Sequence, residues 1–240
     1  MNKTLMAYQH VSVKYRHNHA GVYSIKDLLT SFSRPFQYKT ILDNITFTLA
    51  KGESLGILGR NGSGKSTLLR TMASIVKPYK GQVVCNGSIA PILALGVGLE
   101  MELTGYENID LLLALYNQPR DKKSVQSIID FSGLDDITLK QAVKCYSSGM
   151  LARLSFSISF ANNCDIYIID EVLAVGDLGF QSQCIQKIND LKAEGKSIIF
   201  VSHFPDEVER ICEKAILLEG GKIIYDGSAA EVCAQYRKLF

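Results

Sequence analysis

Two hydrophobic periodicities alternate along this chain and predict strands and helices in turn. Alternating or continuous apolar runs indicate strands over residues 7–15, 41–50, 54–58, 82–86, 88–93, 166–169, 198–201, 215–218 and 223–225. Apolar residues at helical spacing indicate helices over residues 68–76, 107–117, 122–131, 150–160 and 180–193, with a shorter one over 137–143 and a last one capped by Ser228. Between residues 96 and 161 the pattern predicts helices without strands, so this stretch reads as an inserted helical region.

A second insertion is predicted between the first two strands, over residues 16–40. A helix over residues 24–32 lies inside it, and its apolar face comprises Ile25, Leu28, Leu29 and Phe32. The charged residues around it are mostly positive, namely Lys14, Arg16, Lys26, Arg34 and Lys39, against Asp27 alone. A short basic amphipathic helix suits a membrane surface, and the same apolar face also suits a helix that packs on its own domain. Both interpretations stay open.

Composition and charge narrow the class of protein. The chain has 26 Lys and Arg against 24 Asp and Glu, and this near balance argues against a general nucleic-acid-binding surface. The six cysteines lie far apart and form no CxxC pair, so neither a zinc site nor a disulfide framework is indicated. The longest apolar stretch, residues 89–99, is too short to span a bilayer. We therefore expect a soluble protein, or one that reaches a membrane through a partner or a surface contact.

The clearest chemical signal follows the predicted strand at residues 54–58. It reads Gly59-Arg60-Asn61-Gly62-Ser63-Gly64-Lys65-Ser66-Thr67, which is a glycine, four residues and then Gly-Lys-Ser. Glycines let the backbone turn tightly and point successive N–H groups inward, and the helix that follows adds the positive end of its dipole. A chain of phosphates fits this concavity, with Lys65 reaching the β- and γ-phosphates and the Ser66 hydroxyl binding Mg²⁺. A simple Gly-rich turn is the plainer alternative.

Four further residues are candidates for the same site. Asp170 ends a predicted buried strand, where an acid is placed to hold Mg²⁺ through water, and the neighbouring Glu171 can orient or deprotonate an attacking water. His203 follows the next predicted strand and could sense the γ-phosphate, although a lone histidine is more often structural. Tyr15 could stack on a base, or it could simply be a half-buried tyrosine that ends the first strand.

These residues together resemble the ATP-binding cassette (ABC) ATPases, the nucleotide-binding subunits of transporters, over nearly the whole chain. Residues 59–66 resemble the Walker A loop, and residues 166–171 resemble Walker B with its catalytic glutamate. Between them, Tyr146-Ser147-Ser148-Gly149-Met150 occupies the place of the family signature, usually written LSGGQ. Residues 174–177, which end in Asp177, resemble the D-loop, and His203 resembles the switch histidine. A signature between the two Walker motifs, with a histidine after the second, is specific to the ABC class.

The departures from the family pattern point to one branch. Ser147 and Gly149 are the two matches to the signature, and valine replaces the commoner proline at residue 172. No glutamine stands near residues 96–100, where the family has its Q-loop and where Glu100 is a substitute candidate. Residues 102–108 (ELTGYEN), 146–150 (YSSGM) and 170–177 (DEVLAVGD) resemble the ATPase subunits of exporters for lipopolysaccharide O-antigen, capsule and teichoic acid.

The resemblance implies a fold and a set of roles. The fold would be α/β, a P-loop NTPase cassette with a RecA-like core, a small antiparallel β subdomain and an inserted α-helical subdomain over residues 96–161. The whole chain, residues 1–240, would be a single ABC ATPase domain without an additional C-terminal domain. Two copies would bind two ATP head to tail. In each, residues 59–67 and Tyr15 would bind the nucleotide, and Ser66 and Asp170 would hold Mg²⁺. Glu171 would activate water and His203 would hold the γ-phosphate, while Ser147, Ser148 and Gly149 would complete the partner's site.

The function implied is ATP hydrolysis coupled to export of a lipid-linked polysaccharide, with O-antigen first and capsule or teichoic acid next. A homodimer would work with a separate transmembrane permease, at the cytoplasmic side of the plasma membrane, and would bind no nucleic acid. The alternatives are an ABC ATPase that serves a different substrate and a soluble ABC protein of DNA repair or translation. A single cassette without a basic tail argues against the second alternative. Intact Lys65, Asp170 and Glu171 argue against a binding module that has lost hydrolysis.

Overall fold

Two β-sheets organise the part of the chain that the computed structural model describes, residues 3–17, 37–92, 98–170 and 177–240. The first sheet is antiparallel, and its central strand β1 (Thr4–His17) lies between β2 (Gln37–Ala50) and β4 (Lys80–Cys85). The second sheet contains β3 (Ser54–Leu58), β5 (Ile89–Ile92), β6 (Ile166–Ile169), β7 (Ser197–Ser202), β8 (Lys214–Glu219) and β9 (Lys222–Ser228). Its spatial order is β5-β6-β7-β3-β8-β9.

The second sheet is parallel except for the hairpin of β8 and β9. Its three central strands, β6, β7 and β3, are buried at every position, as continuous apolar runs predict for strands with both faces covered. Leu58 pairs with Ser202 and Ile169 pairs with Phe200, so these three strands end at the same edge. Ligands bind to such sheets at the carboxyl ends of the strands. The loops after β3, β6 and β7 therefore share one binding edge.

All but two of the described helices begin with a polar side chain that caps their first amides; the exceptions are the first, which follows Gly64, and the seventh, which follows Phe204. Their bounds are α1 (Lys65–Met72), α2 (Gly105–Leu115), α3 (Lys122–Ser132), α4 (Asp136–Leu139), α5 (Ser148–Ala161), α6 (Leu178–Ala193), α7 (Pro205–Ile211) and α8 (Ala229–Leu239). A 3₁₀ turn (Val143–Cys145) precedes α5. Thr104 with Glu107, and Ser228 with Glu231, form complete capping boxes at α2 and α8. Within the described ranges, no helix has the length and apolar character that a membrane crossing requires.

The helical stretch has a hydrophobic cluster of its own. Two other clusters line the sheets, while a third joins α2, α3, α4 and α5. Its buried members are Leu99, Ile109, Leu112, Leu113, Ile128, Leu139, Val143, Leu154 and Ile158. Helix α5 belongs to two clusters, because its Ala152, Phe156 and Phe160 pack with residues of the parallel sheet. Since burial of apolar surface is the main force that holds helices together, α5 connects the helical region to that sheet.

Several predicted boundaries change in the structure. The first strand continues through Arg16 and His17, which pair with Tyr38 and Gln37, so Tyr15 lies inside the strand and does not end it. The insertion predicted over residues 16–40 therefore overlaps the ends of both strands, and the helix predicted over residues 24–32 lies outside the described residues. The helix predicted over residues 68–76 instead spans α1, because the loop passes directly into helix after Gly64. The one predicted over residues 137–143 is reduced to α4 and the 3₁₀ turn.

Candidate functional site

The phosphate loop joins β3 to α1 at the binding edge. Gly62 and Gly64 have φ angles of 83° and 112°, in the left-handed region that glycine adopts without strain. Gly59 meets a different requirement, because a Cβ there would lie 2.4 Å from the Leu218 carbonyl oxygen and 2.6 Å from Ser63 Oγ. Gly62 and Gly64 thus provide the tight turn that the sequence predicted, and the close packing at Gly59 is a further requirement that it did not predict.

Two polar side chains inside the loop, those of Lys65 and Ser63, are placed to bind an anion. Lys65 is buried, with a relative exposure of 8%. Its Nζ donates to the carbonyl oxygens of Gly59 at 2.6 Å and Arg60 at 3.1 Å. Ser63 Oγ is buried and has no hydrogen-bond partner in the described part of the protein. Buried polar atoms normally have partners, so an unpartnered hydroxyl in a glycine-lined loop fits a ligand that supplies acceptor oxygens. The loop therefore fits a chain of phosphates.

The turn between β8 and β9 holds the phosphate loop in place. Gly221 donates its amide to the Ser63 carbonyl at 2.9 Å, and its own carbonyl accepts from the Asp43 amide at 2.8 Å. A Cβ at Gly221 would lie 2.1 Å from the Ile41 carbonyl oxygen, so the turn passes very close to β2. The sequence analysis predicted strands on both sides of these glycines and did not foresee the contact of their turn with the phosphate loop. The double glycine at residues 220–221 is a sequence signal for a tight turn, but Ser63, which this turn contacts, lies far away in the sequence.

The remaining loop residues divide by exposure. Arg60, Asn61 and Ser66 are exposed, whereas Thr67 is buried on the first turn of α1. The Arg60 guanidinium lies over the ring of Phe240, with its Cζ 5.0 Å from the ring centroid. This cation–π contact connects the phosphate loop to the residue that follows α8. It was not foreseen, because a terminal aromatic residue gives no sequence signal of such a contact.

Candidate ligands for Mg²⁺ follow the same edge. Asp170 is half-buried directly after β6, and its amide donates to the Ile92 carbonyl at 3.1 Å. The Ser66 hydroxyl is the other predicted ligand, and Glu171 lies outside the described residues. In the described ranges no group of three or more His, Cys, Asp or Glu side chains could hold a metal ion. A hydroxyl, one carboxylate and substrate phosphates are the oxygen ligands that Mg²⁺ typically takes in nucleotide sites, so the residues present fit this ion.

His203 follows β7 and lies next to the phosphate loop in the sheet order. Since Leu58 pairs with Ser202, Gly59 and His203 leave neighbouring strands at the same level. Ser202 Oγ donates to Glu207 Oε2 at 2.9 Å and accepts from the Phe204 amide at 3.0 Å, which fixes the backbone on both sides of the histidine. The half-buried imidazole lies 3.8 Å from the Phe204 ring, centroid to centroid. Glu207 is a supporting residue that the sequence analysis did not find.

Tyr15 lies on β1 and pairs with Lys39 on β2. Two residues earlier on the same strand, Val13 pairs with Leu42, and a Cβ at Gly64 of the phosphate loop would lie 2.9 Å from the Leu42 side chain. The Tyr15 phenol oxygen is buried and has no hydrogen-bond partner among the described residues. Tyr15 therefore lies two residues along β1 from the position whose partner contacts the loop, and its stacking on a base stays a prediction.

The predicted signature forms the exposed start of α5. Ser147 caps the helix, and its Oγ accepts from the Met150 amide at 3.3 Å. Ser148 is exposed, and a Cβ on Gly149 would have Ser147 Oγ, at 4.0 Å, as its nearest described contact. A helix start with accessible amides and open space favours an anion. This arrangement supports the predicted role of Ser147, Ser148 and Gly149, which stays a prediction.

Arg153 connects the signature helix to the predicted D-loop. It donates to the Ser132 carbonyl at 3.1 Å and to the Asp177 carboxylate, and its guanidinium lies 4.8 Å from the Phe180 ring centroid. Asp177 also caps α6, since its Oδ1 accepts from the Phe180 amide at 3.0 Å. The hydrogen bond from Arg153, together with this cap, holds the pKa of Asp177 below its ordinary value. Arg153 was not predicted, and a single arginine in a helix offers no signal on its own.

Comparisons with known proteins agree on one family. The family model described as ABC transporter matches residues 42–174. The O-antigen export system ATP-binding protein RfbB of Klebsiella pneumoniae is 41% identical over 238 residues, which cover 96% of this chain and 96% of that protein. The teichoic acids export ATP-binding protein TagH of Listeria innocua is 41% identical over 233 residues, or 96% of this chain and 69% of that protein.

Solved structures show the same fold. The dimeric, post-hydrolysis ATP-binding cassette MJ0796, bound to ADP and Pi, superposes with a TM-score of 0.77 over 94% of this chain and 99% of that one. The sequence identity over this superposition is 20%. The cassette fold is therefore shared although most side chains differ.

Proposed function

The chain belongs to the ABC transporter family, and we propose that it is the ATP-hydrolysing subunit of an exporter for a lipid-linked polysaccharide. O-antigen is the first candidate, with capsule or teichoic acid next. The observation that carries this proposal is the 41% identity to RfbB over 96% of both chains, because RfbB is named for O-antigen export. An ABC ATPase with a different substrate is the main alternative.

ATP binding would begin at the phosphate loop. Amides of the glycine-lined loop, with the Ser63 hydroxyl that has no partner among the described residues, would bind the β- and γ-phosphates. Lys65, which now donates to two loop carbonyls, would turn its ammonium group to the outer phosphates. Tyr15 would stack on the adenine ring. Mg²⁺, when bound by Ser66 and Asp170, would neutralise charge on the phosphate oxygens.

Hydrolysis would use groups from the neighbouring strand ends. Glu171 would accept a proton from the attacking water, since it follows Asp170 at the carboxyl end of β6. His203 would donate a hydrogen bond to the γ-phosphate, and the bond from Ser202 to Glu207 would keep its backbone in place. These roles require no covalent intermediate, because positioning and charge stabilisation supply most of the catalysis in phosphoryl transfer.

Two copies would complete each other's sites. The amides at the start of α5, with Ser147, Ser148 and Gly149, would bind the γ-phosphate held by the partner, and Asp177 would lie at the same interface. Closure over ATP and opening after hydrolysis would give the two states that drive transport. A separate permease would dock at the helical region on the cytoplasmic side of the membrane.

The catalytic assignment can be tested with Glu171→Gln. This change keeps the size and the hydrogen-bonding capacity of the side chain but removes the base. We expect ATP binding to remain, turnover to fall by roughly 10² or more, and an ATP-bound dimer to accumulate. ATP hydrolysis assays and size-exclusion chromatography with Mg-ATP measure these effects. Near-normal turnover in the variant would show that another group activates the water.

A further inference from the structure

The stretch ELTGYEN, residues 102–108, has no role in the nucleotide chemistry proposed above. Most of its residues nevertheless form hydrogen bonds or an ion pair. Glu102 forms an ion pair with Lys144 at 2.5 Å. Thr104 accepts from the Glu107 amide at 3.2 Å, and the Glu107 carboxylate accepts from the Thr104 amide at 2.8 Å. These contacts fix the start of α2 and tie it to the residues that precede the signature.

Asn108 holds the loop that leads into this helix. Its side chain is fully buried, its Oδ1 accepts from the Glu100 amide at 2.7 Å, and its Nδ2 lies 3.0 Å from the carbonyl oxygens of Glu100 and Thr104. A buried amide with all these bonds satisfied specifies one loop conformation. Residues 100–104 are therefore rigidly attached to α2.

The same loop pairs with the segment that enters the signature. Val143 donates its amide to the Leu103 carbonyl at 2.9 Å, and Lys144 donates to the Met101 carbonyl at 2.9 Å. Thr104 and Ala142 form an antiparallel bridge. Two stretches nearly forty residues apart in sequence thus form a short two-stranded contact immediately before Ser147.

Tyr146, the first residue of the signature, adds a side-chain contact to the same region. Its hydroxyl donates to the Thr138 carbonyl at 2.9 Å and packs against Gly105, the first residue of α2. A Cβ at residue 105 would lie 2.4 Å from the hydroxyl oxygen, so glycine leaves the space that this oxygen occupies. Burial raises the pKa of Tyr146, so the hydroxyl keeps the proton that it donates.

We propose that Tyr146 is a positioning residue for the signature, whose hydroxyl holds the entry to α5 against α4 and the start of α2. Residues 100–104, the start of α2 and the signature then move as one body. The tyrosine at 146 and the glycine at 105 form a matched pair. This inference rests on the proposed function of the signature as a phosphate-binding element for the partner.

The test compares two tyrosines that each lose a hydroxyl. Tyr146→Phe keeps the ring and removes the hydroxyl with its hydrogen bond to the Thr138 carbonyl, while the control Tyr106→Phe removes a hydroxyl that donates to Asp136 Oδ1 at 3.0 Å on the exposed surface of the same region. For each full-length variant, kcat, KM, the affinity of the isolated subunit for Mg-ATP and the thermal midpoint are measured. We expect Tyr146→Phe to lower kcat about tenfold, the factor that roughly 1.4 kcal/mol of lost positioning would produce, with unchanged nucleotide affinity. The control should keep kcat within about twofold.

A second pair of variants tests the match with Gly105. Gly105→Ala should lower kcat in the wild-type background, where its methyl group collides with the hydroxyl, and should cost less in the Tyr146→Phe background, where that oxygen is gone. Equal kcat values for Tyr146→Phe and the control Tyr106→Phe would overturn the inference. A joint loss of kcat, nucleotide affinity and thermal midpoint in Tyr146→Phe would also overturn it, since this would indicate a general structural role. Failure of the wild-type chain to hydrolyse ATP would instead refute the proposed function.

Discussion

The phosphate loop and the signature both begin a helix and both offer backbone amides, yet the protein supports them in different ways. The loop is fixed by backbone contacts, because Gly59 touches Leu218 and the Gly221 turn bonds to Ser63. The signature stands exposed, and it is held by backbone pairing just before it together with side-chain contacts, chiefly the hydroxyl of Tyr146. One element is built against the strands of the parallel sheet, and the other is held within the helical region, partly through side chains that substitution can remove.

This difference follows from where each element finds its ligand. The phosphate loop must bind ATP within one subunit, so close backbone packing can form the site in advance. The proposed partner of the signature lies on a second copy, so open space in front of Gly149 is required until the dimer closes. A rigid site and an adjustable one are thus combined in the same chain.

The largest effect is expected when two inactive variants are mixed, one altered in the phosphate loop and the other in the signature. Lys65→Ala should abolish nucleotide binding, because the ammonium group that meets the phosphates is gone, whereas Gly149→Asp should bind ATP but fail to hydrolyse it. Mixed together, the two inactive variants should recover one working composite site per heterodimer. ATPase assays on the mixture test this. No recovery despite proven heterodimers would mean that the signature does not act on the partner.

Two glycine substitutions should separate the supports of the two elements. Gly59→Ala places a methyl group 2.4 Å from a backbone oxygen, and we expect a loss of about 1–3 kcal/mol in the free energy of unfolding. Gly149→Ala meets open space within a helix and should leave that free energy unchanged or raise it by up to about 1 kcal/mol. Urea unfolding of the isolated variants measures both values. Equal losses would contradict the contrast between backbone and side-chain support.

Two serine caps provide a smaller test. Ser147→Ala and Ser228→Ala each remove the side chain that caps a helix, and each should cost about 0.5–2 kcal/mol of stability. We expect Ser147→Ala to reduce ATP turnover as well, because its hydroxyl is proposed to meet the partner's phosphate. Ser228→Ala, which caps α8, should keep wild-type turnover. Matching losses of turnover would assign both serines a structural role alone.

The smallest effect concerns pH. Asp121 and Asp135 cap α3 and α4, and hydrogen bonds from the amides of Ser124 and Thr138 hold their pKa values below the ordinary range. A lowered pKa in the folded state means that each carboxylate stabilises the fold above the unfolded pKa of about 3.9 and loses this contribution as the pH falls below it. Hydrogen exchange between pH 5 and pH 3 should therefore show the helical region loosening before the central strands. Simultaneous loosening would contradict this order.

Sequence alone was sufficient for the cassette fold, which is confirmed, because its signals are local. The phosphate loop is a single nine-residue stretch, and the buried strands are continuous apolar runs. Asp170 and His203 could be placed at one edge since parallel strands end together. The end of β1 was predicted wrongly at Tyr15 because apolar alternation stops there, while backbone pairing continues through polar residues.

Most of the residues that support the site could not be predicted, because their contacts are not local in sequence. Gly221, Arg153 and Phe240 act through partners that are distant in sequence, and no local pattern marks such pairs. Tyr146 is an instructive case, because the sequence shows it only as a departure from the family signature. Its close contact with Gly105 becomes visible in the structure. Glu171 and the helix over residues 24–32 stay predictions.

The turn at Gly221 has a mechanical consequence. It bonds to the phosphate loop on one side and to β2 on the other, and β2 is paired along its length with the strand that carries Tyr15. The positions of Tyr15 and Lys65 are thereby connected through backbone contacts, which do not depend on the rotamers of long side chains. If these two residues bind opposite ends of one nucleotide as proposed, the turn keeps the separation between the two ends constant.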